Sequence, residues 1–175
     1  YVHIIEGKWL PRPGEEPTVK GWEDHLPTAS PEVRLKKSLE MVGPDAGPWG
    51  RLCALPALWV GLLYDPHALD AAWQLTRDWT LEEHDYLRAT VPAQALNTPF
   101  RNHTVGDVAL DVLELAHEGL VNRNRLDGVG LDESRFLKPL FQIAESGLTP
   151  AEDLLFAYER RWKGNIDPIF TEYAY

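Results

Sequence analysis

One ten-residue stretch decides the fold of this chain, because apolar and polar residues alternate along it: Val33-Arg34-Leu35-Lys36-Lys37-Ser38-Leu39-Glu40-Met41-Val42. Successive side chains of a β-strand point to opposite faces of a sheet. One face would carry Val33, Leu35, Leu39 and Met41, and the other would carry Arg34, Lys36, Ser38 and Glu40. Lys37 interrupts the apolar face, which is typical of a position near a sheet edge. The pattern predicts a half-buried antiparallel strand over residues 33–42.

Most of the remaining sequence predicts helices. Residues that cap helix N-termini recur along it: Thr18, Asp65 before Pro66, Thr80 with Glu83, Thr104 with Asp107, Asp132, and Thr149 with Glu152. Such a side chain accepts a hydrogen bond from an N–H group of the first turn, which has no partner within the helix. The hydrophobic pattern is continuous from about residue 18 to residue 170, so residues 1–175 are predicted to form a single domain or a segment of a larger one. We therefore predict an α+β fold, mainly helical, with its short antiparallel β portion around residues 33–42.

Three details of the helical part are further expectations. An apolar segment over residues 49–63 predicts a helix that is buried nearly all round and that Pro56 kinks or restarts. The helix after Thr80 is expected to end before Val91-Pro92, because proline lacks the N–H that continues a helix. Cys53, the one cysteine of the chain, lies within an apolar run and is expected to be a buried, inert thiol.

The composition limits the classes of function. The chain has 175 residues and a net charge of −10, and an acidic surface repels phosphate backbones, so we expect no nucleic-acid partner. A single cysteine excludes an intrachain disulfide scaffold. No apolar run approaches the ~20 residues that span a bilayer, so we expect no membrane segment. With no targeting segment visible, a cytoplasmic location is the expectation.

The polar face of the predicted strand is the best candidate for chemistry. A phosphate-binding glycine loop, a dinucleotide fingerprint and a paired-cysteine metal motif are all absent from the sequence. Arg34, Lys36 and Glu40 would point the same way, and phosphoryl chemistry uses carboxylates for Mg²⁺ and cations for phosphate. A solvated outer face of a sheet would show the same pattern, and spacing alone leaves both interpretations open.

The chain nevertheless resembles the plant and proteobacterial type of glutamate–cysteine ligase along nearly its whole length, in the order of that family's motifs. The resemblance is carried by Glu32–Met41, by Gly47-Pro48-Trp49, by Arg51–Ala57, by Trp59–Asp65, by Trp79-Thr80, by Thr149–Glu152 and by Asp167–Tyr175. It implies that the chain is the C-terminal segment of a larger catalytic domain with a glutamine-synthetase-like fold. It also implies ATP-dependent formation of γ-glutamylcysteine from glutamate and cysteine, the first step of glutathione synthesis, with Mg²⁺ at the phosphates.

Site residues follow from the same resemblance. Glu40 matches a strand glutamate expected to bind Mg²⁺, Arg34 and Lys36 are the expected catalytic cations, and Asp45 is the expected substrate-binding residue. Two positions after Glu40 the family has an arginine, where this chain has Val42. Members of the family are more than twice as long, and the preceding region supplies most of the nucleotide- and metal-binding residues.

Two hypotheses about function remain open at this point. In the first, the chain works in glutamate–cysteine ligation only together with the missing N-terminal region, and alone it is inactive. In the second, it is a diverged or truncated helical module that binds a partner without catalysis. Val42 favours the second hypothesis, because valine supplies neither a charge nor a donor. The retained polar residues Arg34, Lys36 and Glu40 favour the first.

Overall fold

A computed structural model describes residues 18–25, 32–35, 37–44 and 47–174 of the chain. These residues belong to two compact units, one within residues 1–45 and one within residues 46–175. The α+β class is confirmed: the described residues are mostly helical and contain two small antiparallel sheets.

The first unit contains one short helix and one hairpin. Helix α1 (Val19–His25) begins as predicted after Thr18, whose hydroxyl accepts a hydrogen bond from the backbone N–H of Gly21 at 3.0 Å. Strands β1 (Val33–Leu35) and β2 (Leu39–Met41) pair antiparallel. The prediction of one continuous strand over residues 33–42 is therefore wrong, since the chain reverses direction between Leu35 and Leu39.

The second unit is helical apart from one tiny hairpin. Its helices are α2 (Trp49–Leu52), α3 (Ala54–Tyr64), α4 (Pro66–Thr76), α5 (Leu81–Gln94), α6 (Val105–Arg123), α7 (Lys138–Ser146), α8 (Pro150–Phe156) and α9 (Ile169–Glu172). Strands β3 (Pro99–Phe100) and β4 (His103–Thr104) form the hairpin. Shorter turns are the 3₁₀ segments Ala95–Asn97 and Glu133–Leu137 and the π turn Ala157–Arg161.

The predicted caps are present at the helix starts. Capping boxes join Thr80 to Glu83, Thr104 to Asp107 and Thr149 to Glu152. The side chain of Asp65 accepts a hydrogen bond from the backbone N–H of Ala68. Asp132 caps a 3₁₀ segment that leads into α7, and Gly147 ends α7 with a φ of 67°. The φ of Gly147 lies in the left-handed region that glycine adopts without strain.

The centre of the helical unit is the contact between α3 and α6. Ala116 and Leu120 of α6 are fully buried there, and Leu62 of α3 is nearly so. Gly61 and Gly119 bring the two backbones together, because a Cβ atom on either glycine would lie 2.1–2.2 Å from a carbonyl oxygen of the other helix. Helix α7 and the 3₁₀ segment before it pack against this pair and complete the core.

Three local expectations change in the structure. The apolar segment breaks at Cys53, so Pro56 occupies the first turn of α3, where its missing N–H leaves no bond unmade. Helix α5 continues through Pro92 to Gln94, since a proline in the last turns interrupts few of the helical hydrogen bonds. Cys53 is exposed rather than buried, and it lies at the break between α2 and α3 rather than inside one continuous buried helix.

Among the described helices, none is by itself long and apolar enough to cross a membrane. Trp49–Tyr64 and Pro66–Thr76 reach that length and composition only as a pair, which is bent by 93°.

Candidate functional site

The hairpin of the first unit brings two of the predicted site residues together. Arg34 lies directly opposite Glu40 in the pairing of β1 with β2. The guanidinium of Arg34 lies 2.9 Å from Oε2 of Glu40, which is an ion pair across the two strands. The Arg34 side chain is 25% exposed and that of Glu40 is 41% exposed. Partial burial of both groups makes their mutual attraction stronger than that of a fully solvated pair.

The burial of the hairpin is the reverse of the prediction. Leu35 is 82% exposed and Leu39 is 60% exposed, and Val33 beside them is half exposed. The polar side holds the half-buried Arg34 and Glu40 instead. On the apolar side only Met41 is half-buried, so the centre of the polar side, at Arg34 and Glu40, is covered better than most of the apolar side.

The ion pair with Glu40 does not use every hydrogen-bond donor of the Arg34 guanidinium. Its Nε atom is buried and has no hydrogen-bond acceptor among the residues that the structure describes. Leaving a buried donor of a charged group unpaired is costly, so such a donor usually marks a position that another group completes. The geometry suits an anionic oxygen, because a guanidinium presents its N–H groups as a planar fork.

Two further residues, Glu32 and Val42, lie beside the pair. The backbone N–H of Val42 donates to the carbonyl oxygen of Glu32 at 2.8 Å, which extends the hairpin by one pair. Alternation then puts the side chains of Glu32 and Val42 on the same face as Arg34 and Glu40. Glu32 was missed because it lies one residue before the strand predicted over residues 33–42, whereas the resemblance had already drawn attention to Val42. Val42 is 37% exposed, so an uncharged side chain stands at the edge of this polar face.

The remaining predicted site residues, Lys36 and Asp45, lie outside the described residues. Within the described ranges, no three side chains of histidine, cysteine, aspartate or glutamate come together as a metal site would require. Glu40 shares its face of the hairpin with one other carboxylate, that of Glu32, so a Mg²⁺ ion held by Glu40 would need further ligands from outside the described residues.

The helical unit carries a second group of polar residues. A cavity of about 490 Å³ is lined by Glu114, His117, Arg135, Lys138 and Glu145, together with neutral side chains. The ring of His117 lies edge-on to that of Phe141, with centroids 6.3 Å apart. The lining mixes acidic and basic groups, and Arg135 is already paired with Asp127. This cavity therefore shows no excess of either charge for a ligand.

Comparison with known proteins decides the family. Residues 7–172 match the model of glutamate–cysteine ligase family 2. The chain belongs to this family. It is 50% identical over 172 residues to the chloroplastic glutamate–cysteine ligase of Solanum lycopersicum, covering 98% of the chain and 32% of that protein. It is 49% identical over 175 residues to the enzyme of the same name from Arabidopsis thaliana, covering the whole chain and 32% of that protein.

The family match confirms the resemblance seen in the sequence. A third relative, glutamate–cysteine ligase A of Oryza sativa subsp. indica, is 50% identical over 172 residues, with 98% of the chain and 34% of that protein covered. The chain therefore spans about a third of the length of the curated relatives it matches. The prediction of a cytoplasmic location is wrong, because these relatives are named as chloroplastic proteins.

Proposed function

We propose that this chain is the C-terminal portion of a glutamate–cysteine ligase and acts only as part of the longer enzyme. The observation that carries the proposal is the family match over residues 7–172, together with about 50% identity to enzymes of that name. The names of these relatives also support a plastid location for the full-length protein. We further propose that both compact units belong to one catalytic domain with a glutamine-synthetase-like fold.

The proposed reaction is the ATP-dependent joining of glutamate and cysteine. An oxygen of the γ-carboxylate of glutamate attacks the terminal phosphorus of ATP, and ADP leaves. The amine of cysteine then attacks the γ-carbonyl carbon of the γ-glutamyl phosphate, loses a proton and displaces phosphate. The products are γ-glutamylcysteine, ADP and phosphate. Negative charge develops on phosphoryl and carbonyl oxygens in both steps, and positioned cations lower the barrier by stabilising it.

Arg34 is the residue proposed to meet that charge. Its partly buried guanidinium keeps an unused donor at Nε, and Glu40 holds one side of the fork in place. Lys36 is proposed as a second cation and Asp45 as a contact to substrate. Glu40 is proposed to contribute one oxygen to a Mg²⁺ ion, whose chemistry is to neutralise phosphate charge. The other ligands of that ion would come from outside the described residues.

The small size and the exposed apolar side of the hairpin support the proposal that it pairs with a larger sheet in the longer enzyme. A two-stranded hairpin alone is marginally stable in water. The exposed apolar side chains Val33, Leu35 and Leu39 would be covered if further strands or helices of the longer enzyme packed on them. Such a sheet would leave the side of Arg34 and Glu40 facing the reacting groups.

The test uses a chimera in which the part of the Arabidopsis enzyme that precedes the matched segment is joined to this chain. We expect ATP-dependent formation of γ-glutamylcysteine by the chimera and none by the 175-residue chain alone. Arg34→Met is expected to lower kcat of the chimera at least roughly tenfold. Arg77→Met is the matched control, because Arg77 is exposed and lies 3.7 Å from Asp78 in a loose surface pair. Turnover by the isolated chain would refute the proposal.

Val42 is the observation that favours a second candidate function, a non-catalytic helical module. The structure puts this uncharged side chain on the polar face of the hairpin, where the resemblance implies an arginine. If the chain is catalytic in spite of Val42, Val42→Arg should raise the activity of the chimera. If neither the chimera nor its Val42→Arg variant makes γ-glutamylcysteine, the non-catalytic function is the better account.

A further inference from the structure

A groove of about 470 Å³ lies on the helical unit, with walls from α2, α7 and α8. Its apolar lining includes Pro139, Ile143, Leu148 and Pro150. Among the described residues that line it, Arg51 of α2 is the one cation, and we call it the Arg51 groove. Sites for small molecules have this character, because apolar side chains supply most of the contact and a few polar groups fix the orientation of the ligand.

Arg51 differs from the other arginines of similar burial. Three arginines are half-buried in the part of the chain that the structure describes: Arg34, Arg51 and Arg123. The first and the third pair with carboxylates, those of Glu40 and Glu133 respectively. The side chain of Arg51 forms no ion pair or hydrogen bond with any described residue. Because partial burial removes some of the water around a charge, a guanidinium in this position gains from an anionic partner.

Other polar groups of the groove already have partners within the protein. The carboxylate of Asp153 accepts a hydrogen bond from the hydroxyl of Tyr173 at 2.7 Å. The hydroxyl of Ser146 donates to the carbonyl oxygen of Ile143 at 3.1 Å. Arg51 is therefore the group that would meet the charge of a ligand. A second negative charge on that ligand is disfavoured, because Asp153 already places one carboxylate in the same lining.

We propose that the Arg51 groove binds a small monocarboxylate with an apolar body. The guanidinium of Arg51 holds the carboxylate, because its planar N–H groups match two carboxylate oxygens. The apolar body of the ligand lies against Ile143 and the prolines of the lining. The groove belongs to the helical unit, whereas the Arg34–Glu40 pair belongs to the first unit. The inference thus goes beyond the proposed reaction and does not depend on it.

The first experiment titrates the 175-residue chain with three probes and follows its amide NMR signals. Hexanoate combines a carboxylate with an apolar chain, hexanamide has a similar shape without the charge, and acetate has the charge without the chain. We expect hexanoate to shift the signals of Gln142 and Ile143, which line the groove. We expect hexanoate to bind at least roughly tenfold more tightly than hexanamide or acetate, because each of these lacks one of the two interactions.

The second experiment changes the cation. Arg51→Met keeps an unbranched apolar side chain and removes the charge, so it should weaken hexanoate binding at least roughly tenfold and leave hexanamide binding unchanged. Arg51→Lys retains a positive charge and should bind hexanoate more tightly than Arg51→Met does. Arg77→Met is the matched control, because Arg77 is exposed and does not line the groove. Its affinity for hexanoate should equal that of the unchanged chain.

Several outcomes would overturn the monocarboxylate site. One is that hexanoate leaves the signals of the groove residues unshifted. Another is equal binding of hexanoate and hexanamide, which would mean that the groove is only an apolar surface. Equal affinity of Arg51→Met and the unchanged chain for hexanoate would remove Arg51 as the anchor. None of these measurements uses turnover, so the site stands or falls independently of whether the chimera makes γ-glutamylcysteine.

Discussion

The close contact between α3 and α6 makes Gly119→Ala a sharp test of how the helical unit is packed. A Cβ atom at position 119 would lie 2.1 Å from the carbonyl oxygen of Gly61 and 3.1 Å from the Cβ atom of Ala68. Real Cβ atoms essentially never approach another atom within 3.0 Å. The obstacle at Gly61 is backbone, so no side chain can rotate out of the way. The two helices would have to separate by roughly 1 Å at the centre of the core.

The cost of that separation can be estimated from packing. Forcing an extra methyl group into a close-packed core costs about 1–3 kcal/mol. A gap of 0.5–1 Å also forfeits a quarter to a half of the dispersion energy of each contact that opens. We therefore take the upper value of about 3 kcal/mol. Alanine regains about 1 kcal/mol over glycine by its helix propensity. The expected net loss for Gly119→Ala is about 2 kcal/mol of the free energy of unfolding.

Urea unfolding, followed by circular dichroism at 222 nm, measures this loss. With a slope of about 2 kcal/mol per molar urea, the midpoint should fall by about 1 M. Gly50→Ala is the control, since its Cβ atom would meet nothing and its free energy of unfolding should stay equal or rise slightly. If Gly119→Ala and Gly50→Ala unfold at the same urea concentration, the backbone contact between the helices is not as close as described.

Two further predictions concern single carboxylates. Asp65→Ala should lower the free energy of unfolding by about 1–2 kcal/mol, because Asp65 is buried and caps α4 through the N–H of Ala68. Asp70→Ala, on the exposed face of α4, is the control and should change the free energy of unfolding little. Thermal unfolding of the two variants measures the difference. The pKa of Asp127 is lowered from 3.8 to about 2, because its carboxylate accepts hydrogen bonds from the Arg135 side chain and from the backbone N–H groups of residues 131 and 129. The ionised Asp127 therefore stabilises the fold above pH 3.8, and this contribution is lost as the pH falls through about 2. The difference in free energy of unfolding between Asp127→Asn and the unchanged chain should shrink as the pH is lowered from 3.8 to about 2.

The helix starts could be predicted from the sequence because their causes are local. Thr80 with Glu83, Thr104 with Asp107 and Thr149 with Glu152 form capping boxes within four residues, and no distant contact is needed to make them favourable. The same holds for Gly147, whose left-handed backbone ends α7 wherever the helix packs.

Features that depend on where a helix breaks or ends, or on distant contacts, were missed. Cys53 is exposed at the break between α2 and α3, and an apolar neighbourhood in the sequence does not show where a helix breaks. Pro92 is tolerated because α5 has only two more residues to form. The approach of Gly61 to Gly119 joins positions that are 58 apart, and isolated glycines within apolar helices predict only a weakened helix.

The hairpin shows how a wrong element can still bring the right residues together. The connection between Leu35 and Leu39 is three residues long, so paired residues on the two strands are either both odd-numbered or both even-numbered. Alternation along a single strand and pairing across this hairpin therefore assign every side chain to the same face. Arg34 and Glu40 share a face in either case, but only the hairpin puts them opposite each other, 2.9 Å apart. A continuous strand would hold them about 20 Å apart. The reversal thus turns two separated charges into one ion pair, with Val42 rather than an arginine at its edge.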